Sequence, residues 1–271
     1  MSSGSFAVER AAGQQVINDH SDIAIEFDHV DYSVNGTGTL IADLNLAIRS
    51  HEILFLLGKS GSGKTTTLKL INRLGSPTRG EVRVEGRATE QWDPIALRRR
   101  IGYAVQEVGL FPHYTVEGNV ALILRVEGWD RSRRDARVKE ILALVGLPCE
   151  QYAQRYPHEL SGGQRQRVGL ARALAANPPI LLMDEPFGAL DPLTRAELQR
   201  EFKLLQKRLG TTVVFVTHDV TEALLLGDRI ALMESGRLLG VFRPDEFLRS
   251  SNENVRAYVD IFRAGFQLQN E

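Results

Sequence analysis

Cysteine is almost absent: Cys149 stands alone among 271 residues. A single thiol rules out an intrachain disulfide and any zinc site built from cysteines, and it fits a reducing compartment. A surplus of either charge is also lacking. The 33 Lys and Arg against 34 Asp and Glu leave a net charge of −1, so no overall basic field draws the chain to nucleic acid or anionic lipid. The basic runs Arg98-Arg99-Arg100 and Arg131-Ser132-Arg133-Arg134 read as solvated helix faces. No uninterrupted apolar run approaches the ~18 residues that a membrane span needs. The stretch Met1 to Asp22 lacks the charged-then-apolar layout of a signal peptide, and residues 1–22 are expected to be a flexible, polar extension. No internal repeat is visible. What remains, 43% hydrophobic and 25% charged, is the composition of an ordinary globular protein. The length suits one large α/β domain, with or without an attached lobe.

What is present is concentrated first in Ile53 to Thr66: an apolar run, a glycine-rich loop and a segment that reads as a helix. Gly58 to Thr65 fits the phosphate-binding pattern G-x-x-x-x-G-K-[ST]. Glycines at 58, 61 and 63 let the backbone curl, so that the N–H groups from Gly58 through Ser60, Gly61, Ser62, Gly63 and Thr66 can surround an anion. The helix that follows adds its positive dipole end. Lys64 can then reach the outer phosphates and the Thr65 hydroxyl can ligate Mg²⁺.

Along the chain, Ile23, Ile25 and Phe27 alternate with polar neighbours, Asn35 to Gly38 is a turn, and alternation resumes from Leu40 to Ile48. That predicts an opening antiparallel sheet. Glu81 to Gly86 and Ile101 to Gln106 read as further strands. From Thr115 to about Ala176 the pattern is helical; Val138, Ile141, Leu142 and Val145 form one stripe, ended by Gly146. This middle region, about 107–176, is expected to be a helical lobe. Ile180 to Met183 and Thr212 to Val216 are continuous apolar runs, as in parallel strands covered on both faces. Leu198, Phe202, Leu205 and Leu209 mark the crossover helix between them. Ile230 to Phe242 predicts a hairpin, and one terminal helix is expected around Pro244 to Phe262.

Met183-Asp184-Glu185-Pro186 places two carboxylates at the C-terminal end of a buried strand, where ligands of open α/β sheets bind. Beside a phosphate loop, Asp184 would hold Mg²⁺ through its water shell and Glu185 would polarise an attacking water. The plain alternative is a charged pair capping the next helix. In Leu160-Ser161-Gly162-Gly163-Gln164, Ser161 stands where a helix N-cap would. The segment is either only a capped helix or a second anion site.

Taken together, Gly58 to Thr65, Gln106, Leu160 to Gln164, Ile180 to Glu185, Ala189-Leu190-Asp191 and His218 resemble, in order and spacing, an ABC-transporter ATP-binding subunit over about residues 23–245. The resemblance implies an α/β P-loop NTPase fold with a RecA-like core, an antiparallel β subdomain and a helical lobe carrying the signature. Residues 246–271 would be a C-terminal helical tail. It implies ATP and Mg²⁺ as cofactors, with Thr65, Gln106 and Asp184 at the metal and Glu185, His218, Lys64, Gln106 and Asp191 as the catalytic set. Gln106 resembles the glutamine that senses Mg²⁺ and the attacking water, His218 the switch histidine, and Asp191 the aspartate that organises water across a dimer. Two copies would pack head to tail, with Ser161, Gly162, Gly163 and Gln164 of one completing the site at Lys64 of the other. The family usually stacks an aromatic residue on adenine; here the aligned residue is Val34, with Tyr32 two positions earlier.

A narrower similarity, carried by Val108 to Val116 and Asp184 to Thr194 with Glu201-Phe202, is to importer ATPases for glycine betaine, choline and related osmoprotectants. It implies a separate membrane permease, touched by the segment Glu107 to Tyr114, and a substrate-binding protein engaged indirectly through that permease. It also implies a place at the inner face of the cell membrane and no nucleic-acid partner. The chain is expected to end before any C-terminal regulatory module. The alternatives are an importer for another small solute such as an amino acid, a soluble non-transport ABC ATPase, and a P-loop kinase, which gives no account of Leu160 to Gln164 or His218.

Overall fold

A computed structural model describes residues 22–34, 38–105, 109–188 and 190–267, with residues 265–267 described as backbone only. Expectations for residues 1–21 and 268–271, for the turn residues Asn35, Gly36 and Thr37, for Gln106, Glu107 and Val108, and for Ala189 lie outside the described residues. The predicted alternation opens the fold: β1 (Ile23–Val34) pairs antiparallel with β2 (Gly38–Arg49), and Ile25, Phe27, Leu44, Leu46 and Ile48 point inward. The apolar run follows as β3 (Ile53–Leu57) and leads into α1 (Lys64–Ile71). The chain returns to the first sheet with β4 (Arg79–Val84) and β5 (Arg87–Ala88), giving the order β2-β1-β4-β5. A short helix, α2 (Pro94–Arg99), leads to β6 (Ile101–Ala104).

Between β6 and β7 the described chain is helical: α3 (Val116–Val120), α4 (Leu122–Val126), α5 (Arg131–Leu144), α6 (Cys149–Tyr152) and α7 (Gly162–Leu174). Then come β7 (Ile180–Asp184), α8 (Pro192–Leu209), β8 (Thr212–Thr217), α9 (Val220–Leu226) and the hairpin β9 (Arg229–Glu234) and β10 (Arg237–Phe242). These strands join β3 in a six-stranded sheet ordered β10-β9-β3-β8-β7-β6. Its pairings are parallel except for the β9–β10 hairpin.

The apolar runs are continuous because both faces of this sheet are covered. Ile53, Phe55 and Leu57 face the helical side; Leu54 and Leu56 face the β subdomain and α1. On the helical side Phe55 and Phe215 stack with centroids 4.4 Å apart, and Phe187 and Phe202 pack against Phe215. The two sheets are tied at the hairpin. Ser235 (φ 49°) and Gly236 (φ 79°) form its two-residue turn in the left-handed region that such turns require. Gly236 N–H donates to Ser62 O (3.2 Å), while Gly236 O accepts from Ala42 N–H (2.9 Å). The phosphate loop is thus braced from both sheets.

One expectation needs correcting. The C-terminal segment is two helices, α10 (Pro244–Arg249) and α11 (Glu253–Gln267), where a single helix was predicted. The break is local side-chain chemistry: Ser250 Oγ accepts from Asn252 N–H (3.2 Å), and Asn252 Oδ1 accepts from Asn254 N–H (2.9 Å). Such short polar side chains offer the backbone partners that compete with helical ones.

Candidate active site

The glycine loop leaves β3 at its C-terminal end, between β8 and β9. A Cβ on Gly58 would stand 2.3 Å from Met233 O and 2.6 Å from Ser62 Oγ, so the first turn admits only glycine. Gly63 is the N-cap of α1 with φ 99°, and no side chain caps that helix. The first N–H groups of α1 therefore remain without intrahelical or capping partners, as at any uncapped helix start. Lys64, buried at 6% exposure, turns its ammonium back into the loop. Nζ donates to Gly58 O (2.7 Å) and Lys59 O (2.8 Å), with Ser62 Oγ at 3.4 Å. Burial pulls its pKa below the ordinary lysine value, while the charges of Glu185 and Asp184 oppose that shift. A cavity of about 200 Å³ opens over the loop, lined by Leu40, Ser60, Gly61, Gly63, Lys64, Thr65, Thr66 and Glu185.

The strand β7 delivers the carboxylates. Thr65, which lines the cavity, donates through Oγ1 to Asp184 Oδ1 at 3.1 Å, so a hydroxyl and a carboxylate oxygen lie side by side. Burial raises the Asp184 pKa; the Glu185 charge adds to this, and the Thr65 hydrogen bond and the Lys69 and Lys64 charges counter it. This donor pair fits Mg²⁺, which takes one or two protein oxygens and completes its octahedron with phosphate and water. No cluster of three or more His, Cys, Asp or Glu suited to a metal occurs among the described residues. A cage-type site for another metal has no counterpart there.

Glu185 itself sits at φ 46°, a conformation costly for any residue with a Cβ. Its N–H donates to Val216 O of the neighbouring strand (3.0 Å), which holds the turn. The strained position is one expected at a functional site. At the end of β8, His218 Nδ1 comes within 3.2 Å of Glu185 Oε1. The phosphate loop, Asp184, Glu185 and His218 are thereby gathered at one end of the sheet.

Other sequence-predicted residues lie elsewhere. Ser161 N-caps α7 in a reciprocal box: its Oγ accepts from Gln164 N–H (3.2 Å), and its own N–H donates to Gln164 Oε1 (2.9 Å). Ser161 and Gly162 are exposed, and none of Ser161, Gly162, Gly163 and Gln164 lines the loop cavity. Asp191 is likewise exposed and caps α8, accepting from Thr194 N–H (3.0 Å). The α7 and α8 starts touch, since a Cβ on Gly163 would stand 2.8 Å from Thr194 Cγ2. Tyr32 packs its ring against Gly75, beyond the C-terminal end of α1, and Val34 is 41% exposed; neither lines the cavity. Leu40 does line it, and sequence reasoning did not single it out, because an apolar residue in an alternating strand carries no mark of function.

Of the segment after Gln106, Gly109 to Tyr114 is described. Its carbonyls at Phe111, Tyr114 and Thr115 all accept from Asn119 Nδ2 (3.1, 3.2 and 3.0 Å), and Phe111 N–H donates to Asn119 Oδ1 (2.8 Å). Arg172 of α7 donates to Gly109 O at 2.7 Å.

Comparison with known proteins agrees with this geometry. The ABC transporter family model matches residues 41–188. The glycine betaine/carnitine/choline transport ATP-binding protein of Bacillus subtilis is 47% identical over 236 residues, covering 87% of this chain and 62% of the relative. The glycine betaine uptake system ATP-binding protein of Escherichia coli K12 is 47% identical over 245 residues, covering 90% of this chain and 79% of the relative. The chain thus spans less than two thirds of the first of these and more of the second. Among solved structures, a dimeric ATP-binding cassette in a post-hydrolysis state with ADP and Pi superposes with a TM-score of 0.73 at 35% identity. That match covers 81% of this chain and 98% of the other. With the family model matched over more than half of its length and relatives at 47% identity, the chain belongs to the ABC transporter family.

Proposed function

We propose that this chain is the ATP-hydrolysing subunit of an ABC importer and drives uptake of a glycine betaine- or choline-type osmoprotectant through a separate membrane permease. The observation that carries the ATPase reading is the Glu185–His218 pair, 3.2 Å apart, with Glu185 lining the cavity over the Lys64 loop. The loop N–H groups and Lys64 bind the phosphates, Lys64 exchanging its present carbonyl partners for phosphate oxygens. Glu185 orients the attacking water and takes up its proton, and His218 holds Glu185 and the terminal phosphate in register. Thr65, Asp184 and Gln106 are the residues that would hold Mg²⁺. A bound Mg²⁺ would offset the negative charge of the phosphate oxygens.

Ser161 to Gln164 form an exposed, capped helix start away from the chain's own cavity, which supports their use by a second copy in a two-fold pair. Asp191 would face the same junction. Leu40 and Val34 supply apolar contact to adenine in place of an aromatic stack, with Tyr32 engaged at Gly75. Residues 109–114, held by Asn119 and Arg172, suit a permease's short helix. No helix among the described residues is long and apolar enough to cross a membrane, which supports a peripheral subunit on a separate permease. The solute class rests on the two relatives named above, one named for glycine betaine, carnitine and choline transport and the other for glycine betaine uptake. A substrate-binding protein would be reached through the permease.

The test is direct. The purified chain should hydrolyse ATP, and only with Mg²⁺ present. Expressed with its own genomic neighbours, it should co-purify with an integral membrane subunit and support ATP-dependent uptake of radiolabelled glycine betaine or choline into vesicles. Uptake of an amino acid alone would redirect the solute assignment, and isolation with nucleic acid in place of a membrane subunit would overturn the transport reading.

A further inference from the structure

Glu222 is the most deeply buried acid in the described chain, at 5% exposure, and the reaction outlined above does not use it. Glu52, the other buried glutamate, has Arg229 within 3.0 Å. Glu222 has no ion-pair partner among the described residues. Burial raises its pKa above the ordinary glutamate value; the Asp219 charge adds to this, and the hydrogen bonds from Thr217 and Gln199 and the Arg195 charge counter it. A carboxyl group buried without an ion pair is costly. Its partners explain what it holds.

One oxygen fixes the switch turn. Thr217 Oγ1 donates to Glu222 Oε2 at 2.6 Å, and the same hydroxyl accepts from Asp219 N–H at 3.0 Å. Its proton committed to Glu222, the hydroxyl can only accept from Asp219. His218 lies between these two residues, so both its flanking positions are pinned. Asp219 in turn caps α9 through Thr221 N–H (2.8 Å). The other oxygen reaches a different element: Gln199 Nε2 of α8 donates to Glu222 Oε1 at 3.0 Å. Two residues on α8 reinforce the link. Lys203 Nζ donates to Leu225 O (2.9 Å), and Arg195 joins Leu190 O (3.1 Å) to Asp219 Oδ2 (3.7 Å).

We propose that Glu222 is a positioning residue for ATP hydrolysis, clamping the Thr217–His218–Asp219 turn to α8 so that His218 moves with the helix that begins at Asp191. The inference rests on the ATPase reading of the site. It adds a route within one copy by which the Asp191 end of α8, once engaged, sets the His218–Glu185 geometry. Among the described residues Glu222 hydrogen-bonds to Thr217 and Gln199 and not to His218, and it acts through the backbone on either side of the histidine.

The experiment compares the purified full chain with Glu222→Ala and Glu222→Gln, using ATP and Mg²⁺ as the probe. Measured are kcat, KM, the affinity for a fluorescent ATP analogue and the melting temperature. Glu222→Ala should lower kcat about 10- to 100-fold, the scale of a misplaced catalytic group, with KM and nucleotide affinity within about 2-fold. Glu222→Gln keeps one acceptor for Thr217 and, with the Gln199 amide reversed, a bond to α8; it should recover most of the rate. The decisive readout is the double variant: adding Glu222→Ala to His218→Ala should cost nothing further, because the residue works through His218. If Glu222→Ala does not fold, Thr217→Val carries the same comparison. A normal kcat in the folded variant, equal losses in kcat and affinity, or a fully additive double variant would overturn the inference. A wild-type chain that hydrolyses no ATP in the same assay would overturn the reading of the site, and the inference with it.

Discussion

Thr65 and Asp184 stand 119 positions apart in the chain and meet at 3.1 Å, the hydroxyl at the start of α1 donating to the carboxylate at the end of β7. Two lone-standing motifs become one site through this contact, because parallel strands deliver both to the same end of the sheet.

Burying the Asp184 charge has a stability cost that can be measured. Burial raises the Asp184 pKa above its ordinary 3.8, so the folded state holds that proton more tightly than the unfolded state does. The stability this group contributes is present at acid pH and lost as pH rises through the raised value. Asp184→Asn removes the buried charge beside Glu185 and keeps an acceptor for Thr65. The nucleotide-free variant should melt about 2 °C above wild type at neutral pH. The gain should shrink as the pH is lowered toward 4, and Mg²⁺-dependent hydrolysis should be lost. A lower melting temperature at neutral pH would show that Asp184 stabilises the empty site.

Glu185, the proposed base, has a left-handed backbone at φ 46°. Glu185→Gln should bind ATP within a few-fold of wild type and hydrolyse it at least ~100-fold more slowly. Glu185→Gly should be equally inactive yet more stable by about 1 kcal/mol, since glycine relieves the left-handed penalty. Single-turnover assays and thermal melts read both. Normal turnover in the Gln variant would remove Glu185 from the base role.

Val34→Tyr places an aromatic side chain at the position aligned with the adenine-stacking residue of the family, where apolar contact to adenine is proposed. Stacking typically contributes ~0.5–1.5 kcal/mol, so ATP affinity should rise about 2- to 12-fold, with kcat unchanged. Titration with a fluorescent ATP analogue checks it. An unchanged affinity would mean that adenine does not pass Val34.

Much of this was legible in the sequence, and the exceptions share a cause. The runs Ile180 to Met183 and Thr212 to Val216 announced strands covered on both faces, and the structure divides their apolar side chains between two cores. Glycine spacing announced a tight loop after the strand, and only glycine tolerates the approach of Met233 O at Gly58. Leu40 and Glu222 were not legible. Their roles depend on which distant residues they meet, and neither leucine in a strand nor glutamate in a helix advertises a partner. The break between α10 and α11 was missed for a local reason: the pattern of apolar residues continues across Ser250 to Asn252, and only side-chain bonds interrupt it.

Asn119, fully buried, makes four hydrogen bonds to the backbone of residues 111–115 and, among the described residues, does not line the cavity over the Lys64 loop. Asn119→Ala leaves those backbone groups unpaired and should destabilise the protein by about 2–3 kcal/mol. Basal ATPase activity of the isolated, folded chain should stay near wild type, and stimulation by the permease should fall. Amide hydrogen exchange should quicken at Phe111. Undiminished stimulation would separate this segment from the permease contact.

The account turns on whether a triphosphate is gripped by two copies at once, and the mass of the ATP-loaded protein answers it. With ATP, the hydrolysis-deficient Glu185→Gln chain should elute in light-scattering chromatography at twice its 30.2 kDa. Adding Ser161→Arg should return it to a single copy while Lys64 still binds nucleotide. A chain that binds ATP and remains at 30.2 kDa, or a pair that survives Ser161→Arg unchanged, would contradict it.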